Sequence, residues 1–165
     1  MAKMMSPKTT IWWVTDAAYD PNAPSAALLT AAKNISCAIV NGYTVNPTES
    51  DTDDSKSICD AANVQTPTFR NYEGSITFFR DSDVTNIVSD YGKAFAFFRT
   101  KGTTGYIVRR LGKLSSAAAA AGDVVSSFKF TNDNPQDVVN EGGPIQFTVP
   151  FLPQGDMALY KTVVI

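Results

Sequence analysis

Alternation of apolar and polar positions is the strongest signal along this chain. From Tyr72 to Phe79, Tyr72, Gly74, Ile76 and Phe78 fall on one side, with Glu73, Ser75 and Thr77 opposite. That is the two-residue period of a half-buried strand. Ile145, Phe147, Val149 and Phe151 alternate in the same way with Gln146 and Thr148. Val124, Phe128 and Phe130 stand against Ser127 and Lys129. Shorter runs at Ile11–Val14, Phe95–Thr100, Tyr106–Leu111 and Met157–Ile165 add further strand candidates. Ile35 to Val40, the Asn41-Gly42 turn and Tyr43 to Val45 precede a polar stretch from Asn46 to Ser55, after which Lys56 to Asp60 resumes a strand pattern. The expectation is a long hairpin with an extended acidic loop over about 46–55.

Helical periodicity is clear at one place. Val84, Ile87, Val88 and Tyr91 recur at i, i+3, i+4 and i+7. This predicts a helix over about 83–91 with its apolar face against a sheet, capped by Asp81, Ser82 or Asp83 and stopped by Gly92. Ser25–Lys33 leaves a short helix and an extended connector both open, and the alanines of Ser115–Gly122 allow a helical turn. The fold class expected is mainly β, a two-sheet sandwich or barrel with one flanking helix. Residues 1–10 read as a polar arm and residues 11–165 as a single domain.

Composition sharpens this picture in two respects. Only 18% of the 165 residues are charged, against about 25% in ordinary domains, so part of the surface is expected to be covered by copies of the same chain. The net charge of -2 and a pI near 5.0 argue against a broadly basic nucleic-acid binder. The start, MAKMMSPKTTIWWV, has too short an apolar run for a signal peptide, and no later run reaches the roughly 18 residues of a membrane span. No membrane partner is expected, and cytoplasmic synthesis is.

The absence of histidine excludes Ser-His-Asp and Cys-His catalysis and His-rich zinc sites. Asp51-Thr-Asp53-Asp54-Ser-Lys56 invites a calcium reading, but the positions that need glycine and glutamate hold Lys56 and Ala62. A solvated acidic loop is the reading. Gly102-Thr-Thr-Gly105 has the spacing of an RNA-clamping loop but lies between strand candidates, where a turn is expected. Arg109 and Arg110 face opposite sides of a strand, which suits ion pairs better than one phosphate-binding stripe. No catalytic residue, metal or cofactor is therefore expected. Cys37 and Cys59 are expected as cross-strand neighbours of the hairpin, packed as thiols.

Four stretches resemble the tail tube (major tail) proteins of long-tailed bacteriophages, in particular those infecting actinobacteria. They are Asn34–Val45 (NISCAIVNGYTV), Ser57–Asp60 (SICD) with Thr66–Arg70 (TPTFR), Thr103–Gly112 (TTGYIVRRLG) and Ala121–Asp123 (AGD). Their order and spacing over about residues 34–131 carry more than any single motif. Asn34 replaces an aspartate of the family's pattern, and Asp60 stands where the family often has serine.

The resemblance implies a structural virion protein of the tail, made and assembled in the host bacterial cytoplasm. Six copies would close into a ring, and rings would stack head to tail into a tube that conducts double-stranded DNA. Its partners would be itself, the tape measure protein in the lumen during assembly, and the tail terminator and distal tail proteins at the tube ends. The polar loop, with Glu49, Asp51, Asp53 and Asp54, is the expected subunit contact. The polar strand sides Glu73, Ser75, Thr77, Gln146 and Thr148 are the lumen-facing candidates. Two rivals remain: a carbohydrate- or protein-binding sandwich of a virion or cell surface, and a small hydrolase using paired carboxylates. The first needs exposed aromatics on one face, which the adjacent Trp12 and Trp13 do not offer.

Overall fold

The computed structural model describes residues 3–4 and 8–165. In chain order the elements are β1 (Thr9–Val14), α1 (Ala26–Ala31), β2 (Lys33–Asn34), a 3-10 turn (Ser36–Ala38), β3 (Thr44–Thr48), β4 (Thr52–Asp53), β5 (Thr66–Pro67), β6 (Asn71–Phe79), α2 (Asp90–Phe98), β7 (Thr104–Leu111), β8 (Val124–Asn132), β9 (Gln136–Val138) and β10 (Gln146–Thr162). One antiparallel sheet runs β2-β1-β7-β8-β10-β6-β3, with β9 beside β10, and β4 and β5 form a small second sheet. The mainly β expectation is correct. β1 starts at Thr9, and Thr10 is fully buried; Met1, Ala2, Met5, Ser6 and Pro7 of the expected arm lie outside the described residues.

The large sheet curls on itself. The ring of Phe98 on α2 lies 5.4 Å from Trp13 on β1, 5.3 Å from Phe78 on β6 and 5.4 Å from Phe151 on β10. β1 and β6 are four places apart in the sheet, a separation of roughly 19 Å if it were flat. One core therefore fills the concave side, built from Ile11, Trp13, Ile76, Phe78, Ile107, Phe128, Phe130, Phe147 and neighbours. Each such side chain contributes about 1.5–3 kcal/mol on burial. The segment after β2 closes the curl. Ile35 N–H donates to Ile11 O at one edge, and Val40 N–H donates to Thr77 O at the other. Arg109 on β7 reaches across to the carbonyl of Val45 and to Asn46 Oδ1 on β3. A second cluster, Trp12, Val14, Tyr19, Leu29, Val108, Val125 and Val163, packs on the convex side of β1, β7 and β8 beneath α1. The short-helix alternative for Ser25–Lys33 is the one realised.

β10 serves both halves: it pairs with β6 through Phe151 and with β8 from Phe151 onward, with a register shift between Pro153 and Met157. The Tyr72 hydroxyl pins that bulge. It donates to Lys129 O and accepts from the N–H groups of Gln154 and Asp156. Gly74 keeps the alternation of β6 compatible with the core, because a Cβ there would come within 2.7 Å of the Phe130 ring.

The helix expected over 83–91 is not there. Val84, Ile87, Val88 and Tyr91 are 74%, 64%, 75% and 40% exposed. Local side-chain bonds divert this backbone. Asp81 Oδ1 accepts from Asp83 N–H, Asp83 Oδ1 from Thr85 N–H, and Asn86 Oδ1 from Val88 N–H. Such turns compete directly with the helical ladder. The helix begins instead at Asp90, capped by Ser89, whose Oγ accepts from Gly92 N–H. Asp81 does not cap it directly but receives the Ser89 hydroxyl. Gly92, expected as a stop, lies in the first turn, and Phe95–Phe98, expected as strand, is its second half. The turn at Gly102–Gly105 accordingly joins a helix to a strand.

Ile35–Val40 is a 3-10 turn with an isolated bridge, and Lys56–Asp60 is a turn. The hairpin is longer than expected. All pairs from Thr44 opposite Ser75 to Asp53 opposite Thr66 are centred between Cys59 and Asp60. Cys59 thus sits at the tip and Cys37 before the base, so they are not cross-strand partners; both are exposed free thiols.

Candidate assembly surfaces

Three features of this surface and its supports bear on function: a projecting hairpin, an uncovered polar sheet face and an ionic clasp under the alanine loop. The hairpin leaves the barrel after Thr48 and returns at Asn71. Every residue from Asp51 to Arg70 is exposed. Its strands continue the register of β3 and β6, with Asp51 N–H donating to Phe69 O and Thr68 N–H to Asp51 O. From Thr48 to the tip is roughly 36 Å of extended chain, comparable with the ~40 Å diameter of a domain this size.

The expected contact residues Glu49, Asp51, Asp53 and Asp54 lie on the outgoing strand of this arm. Asn71 Nδ2 donates to Glu49 O and to Asp51 Oδ1. Asp53 accepts from the hydroxyl and the N–H of Ser55, which hold its carboxyl below the usual range. Beyond them the arm exposes Ile58 (104%), Val64 (51%) and Phe69 (75%). This outer half was not anticipated as paired strands, because strands with no covered face carry no apolar alternation to mark them.

The lumen candidates share one face. Thr77 lies opposite Thr148, their hydroxyls 2.8 Å apart. Ser75 lies opposite Pro150 and Glu73 opposite Asn46, and Gln146 lies opposite Phe79. All five are exposed or half-buried, while Tyr72, Ile76, Phe78, Phe147, Val149 and Phe151 fill the core behind them.

The clasp is internal. Arg110, 1% exposed, donates to Asp123 Oδ2 at 2.8 Å, to Thr10 Oγ1, and to the carbonyls of Leu114, Ala117 and Ala118. Lys113 binds the other carboxylate oxygen. Burial disfavours the charge on Asp123, but the hydrogen bonds from Lys113, Arg110 and Ala120 N–H outweigh it and hold the carboxyl below its ordinary range. Arg110 also stacks over Trp12. Arg109 and Arg110 face opposite sides, and the ion pair expected from this doublet belongs to Arg110. On the same convex side, burial pushes the Tyr19 phenol up to about 12 against the lowering effect of its Ser127 hydrogen bond.

Trp12 and Trp13 are each 3% exposed, so neither supplies a sugar-binding platform. Among the described residues no three acidic or thiol groups converge as metal ligands, and no helix is long and apolar enough to cross a membrane.

A groove of about 500 Å³ lies between β2 and α2, lined by Lys33, Asn34, Ile87, Asp90, Lys93 and Phe97 among others. The exposure of Ile87 above it was not anticipated, although the apolar quartet at 84–91 was the visible signal.

No curated protein sequence matches the chain. Among solved structures it is similar to a chain of the anti-feeding prophage (AFP) baseplate, determined by cryo-electron microscopy with 6-fold symmetrisation. The identity is 11% and the TM-score 0.55, covering 98% of this chain and 97% of that one. At that identity the likeness is one of fold. The family described as "Phage tail tube protein" matches residues 1–165, the full length, and the chain belongs to that family.

Proposed function

We propose that this protein is the repeating structural subunit of a phage tail tube: six copies close into a ring, rings stack head to tail, and the tube conducts double-stranded DNA. Family membership supports a structural tail role in the virion, and the curled sheet has the fold of a chain from a sixfold-symmetrised baseplate. The observation that carries the assembly reading is the arm. Twenty consecutive residues, 51–70, are exposed, with no cover from the other described residues, yet remain strand-paired in register with the barrel. A contact that closes by rotation makes the ring, and a non-closing contact along the axis makes the filament.

In this reading Glu49, Asp51, Asp53 and Asp54 meet an adjacent subunit or ring. Glu73, Ser75, Thr77, Gln146 and Thr148 face the channel, where an acidic and hydroxylated wall repels phosphates and lets DNA slide. The tape measure protein occupies the lumen during assembly, and terminator and distal tail proteins cap the ends. Assembly takes place in the host cytoplasm, and the motif resemblance supports an actinobacterial host. The protein has no catalytic role.

Negative-stain microscopy of purified protein tests the proposal. Hollow tubes or stacked rings are expected, with folded, non-assembling subunits after deletion of Glu49–Asp54. Monomers from the intact chain, or normal tubes from the deletion, would refute it.

A further inference from the structure

The arm and the groove between β2 and α2 carry complementary unpaired charge. Within residues 46–71 stand the carboxylates Glu49, Asp51, Asp53, Asp54 and Asp60 against Lys56 and Arg70 only. Among the described residues the ion pairs are Arg80–Asp137, Arg110–Asp123 and Lys113–Asp123, so no arm carboxylate has a cationic partner among them. The groove presents two lysines, Lys33 and Lys93, against the single carboxylate Asp90. Neither lysine is ion-paired among the described residues, and Lys33 Nζ is held over the Phe97 ring at 5.3 Å.

Apolar surface matches as well. Ile87 lines the groove and stands 64% exposed, with Val84 and Val88 exposed beside it in sequence, and the arm exposes Ile58, Val64 and Phe69. Apolar side chains left exposed in this way offer area that a partner could bury. Of the quartet around residue 87, Tyr91 lies in α2 against the Phe79 ring, whereas Val84, Ile87 and Val88 precede the helix and join neither core cluster.

We propose that the groove lined by Lys33, Lys93, Ile87 and Phe97 is the receptor for the hairpin arm of a second copy of this chain. Asp53, Asp54 and Asp60 lie against the two lysines, and Ile58 covers Ile87. This rests on the assembly reading above and specifies which surface receives the arm. The roughly 36 Å reach of the arm suffices to cross onto a neighbour.

The native thiol at the arm tip supplies the test. A Cys37→Ser variant, leaving Cys59 as the single thiol, is assembled and treated with a thiol-to-amine cross-linker whose spacer is on the order of 10 Å, and the linked peptides are mapped. A mixture of isotopically labelled and unlabelled chains identifies links between copies. Links from Cys59 to Lys33 or Lys93 of another copy are expected. In parallel, Lys33→Glu with Lys93→Glu should keep the wild-type melting temperature and lose at least tenfold in pelletable assembly. Adding Asp53→Lys and Asp54→Lys should restore it. Tubes whose Cys59 links only to other lysines, or wild-type assembly by the groove variant, would overturn the groove assignment while leaving the tube reading intact. An intact chain that never assembles would overturn both.

Discussion

Asp123→Ala should be among the most destabilising changes that leave the barrel core untouched. Arg110 is 1% exposed, and Asp123 is its buried counter-ion at 2.8 Å. Removing the carboxylate leaves a guanidinium that cannot deprotonate, stacked on Trp12 and facing only carbonyls and a hydroxyl. Breaking a buried pair from one side costs about 3–5 kcal/mol. With an unfolding entropy of about 2.1 cal/mol/K per residue, a chain of 165 residues changes by roughly 0.35 kcal/mol per degree, so the melting temperature should fall by about 9–14 °C. The pH dependence carries the sign. Asp123 is held below its ordinary range in the folded state, so its contribution is present above the unfolded carboxylate value near 4 and is lost as pH falls through the folded value. Calorimetry of wild type and Asp123→Asn from pH 7 downward should therefore show a gap that narrows in acid. A drop under about 2 °C for Asp123→Ala at pH 7, or a gap independent of pH, would refute this account of the clasp.

Two further changes test the corrected helix. In an isolated helix Gly92→Ala would stabilise by about 1 kcal/mol, but here the new Cβ would fall 1.7 Å from Asn86 O. The variant should instead melt at least 5 °C lower by circular dichroism, because the backbone must move and the Ser89 cap is lost. Ile87→Asp should leave the melting temperature within about 2 °C, as exposed positions do, while reducing tube yield in sedimentation. An unfolded Ile87→Asp chain would restore the core helix that the periodicity suggested.

What the sequence made legible was the strands that border the core. β6, apart from half-buried Gly74, and the first half of β10 bury every second residue, so their two-residue period survives in the letters. The helix was misplaced for a physical reason. Val84, Ile87, Val88 and Tyr91 have the right spacing, but Asp81, Asp83 and Asn86 capture the backbone first. The true helix hides in an aromatic run, since Phe95, Phe97 and Phe98 favour strands in general, and only the concave sheet makes a helical Ala94 and Phe98 fit inside. The arm was half legible. Its polar stretch was visible, but strands with no covered face carry no alternation, so the pairing of Thr52–Asp53 with Thr66–Pro67 and the true hairpin centre were not. Of the candidate residues, the five lumen candidates do share one sheet face, whereas the groove proposed to receive the arm depends on a loop conformation that periodicity misread.

The arm also constrains what can receive it. A two-stranded ribbon is marginally stable alone in water, and this one presents free backbone edges on both sides of β4 and β5. Such edges invite pairing with their like. Glu49, Asp51, Asp53 and Asp54 line the outgoing strand, so two arms brought edge to edge on that side would set like charges opposite one another, which is destabilising. Arm-to-arm pairing is disfavoured, and a cationic surface on the body of another subunit is favoured. Under the proposed assembly, the same charges that would keep free subunits apart would direct each arm to a neighbour's barrel. That is the behaviour a filament built from one kind of subunit requires if it is to grow in register rather than aggregate.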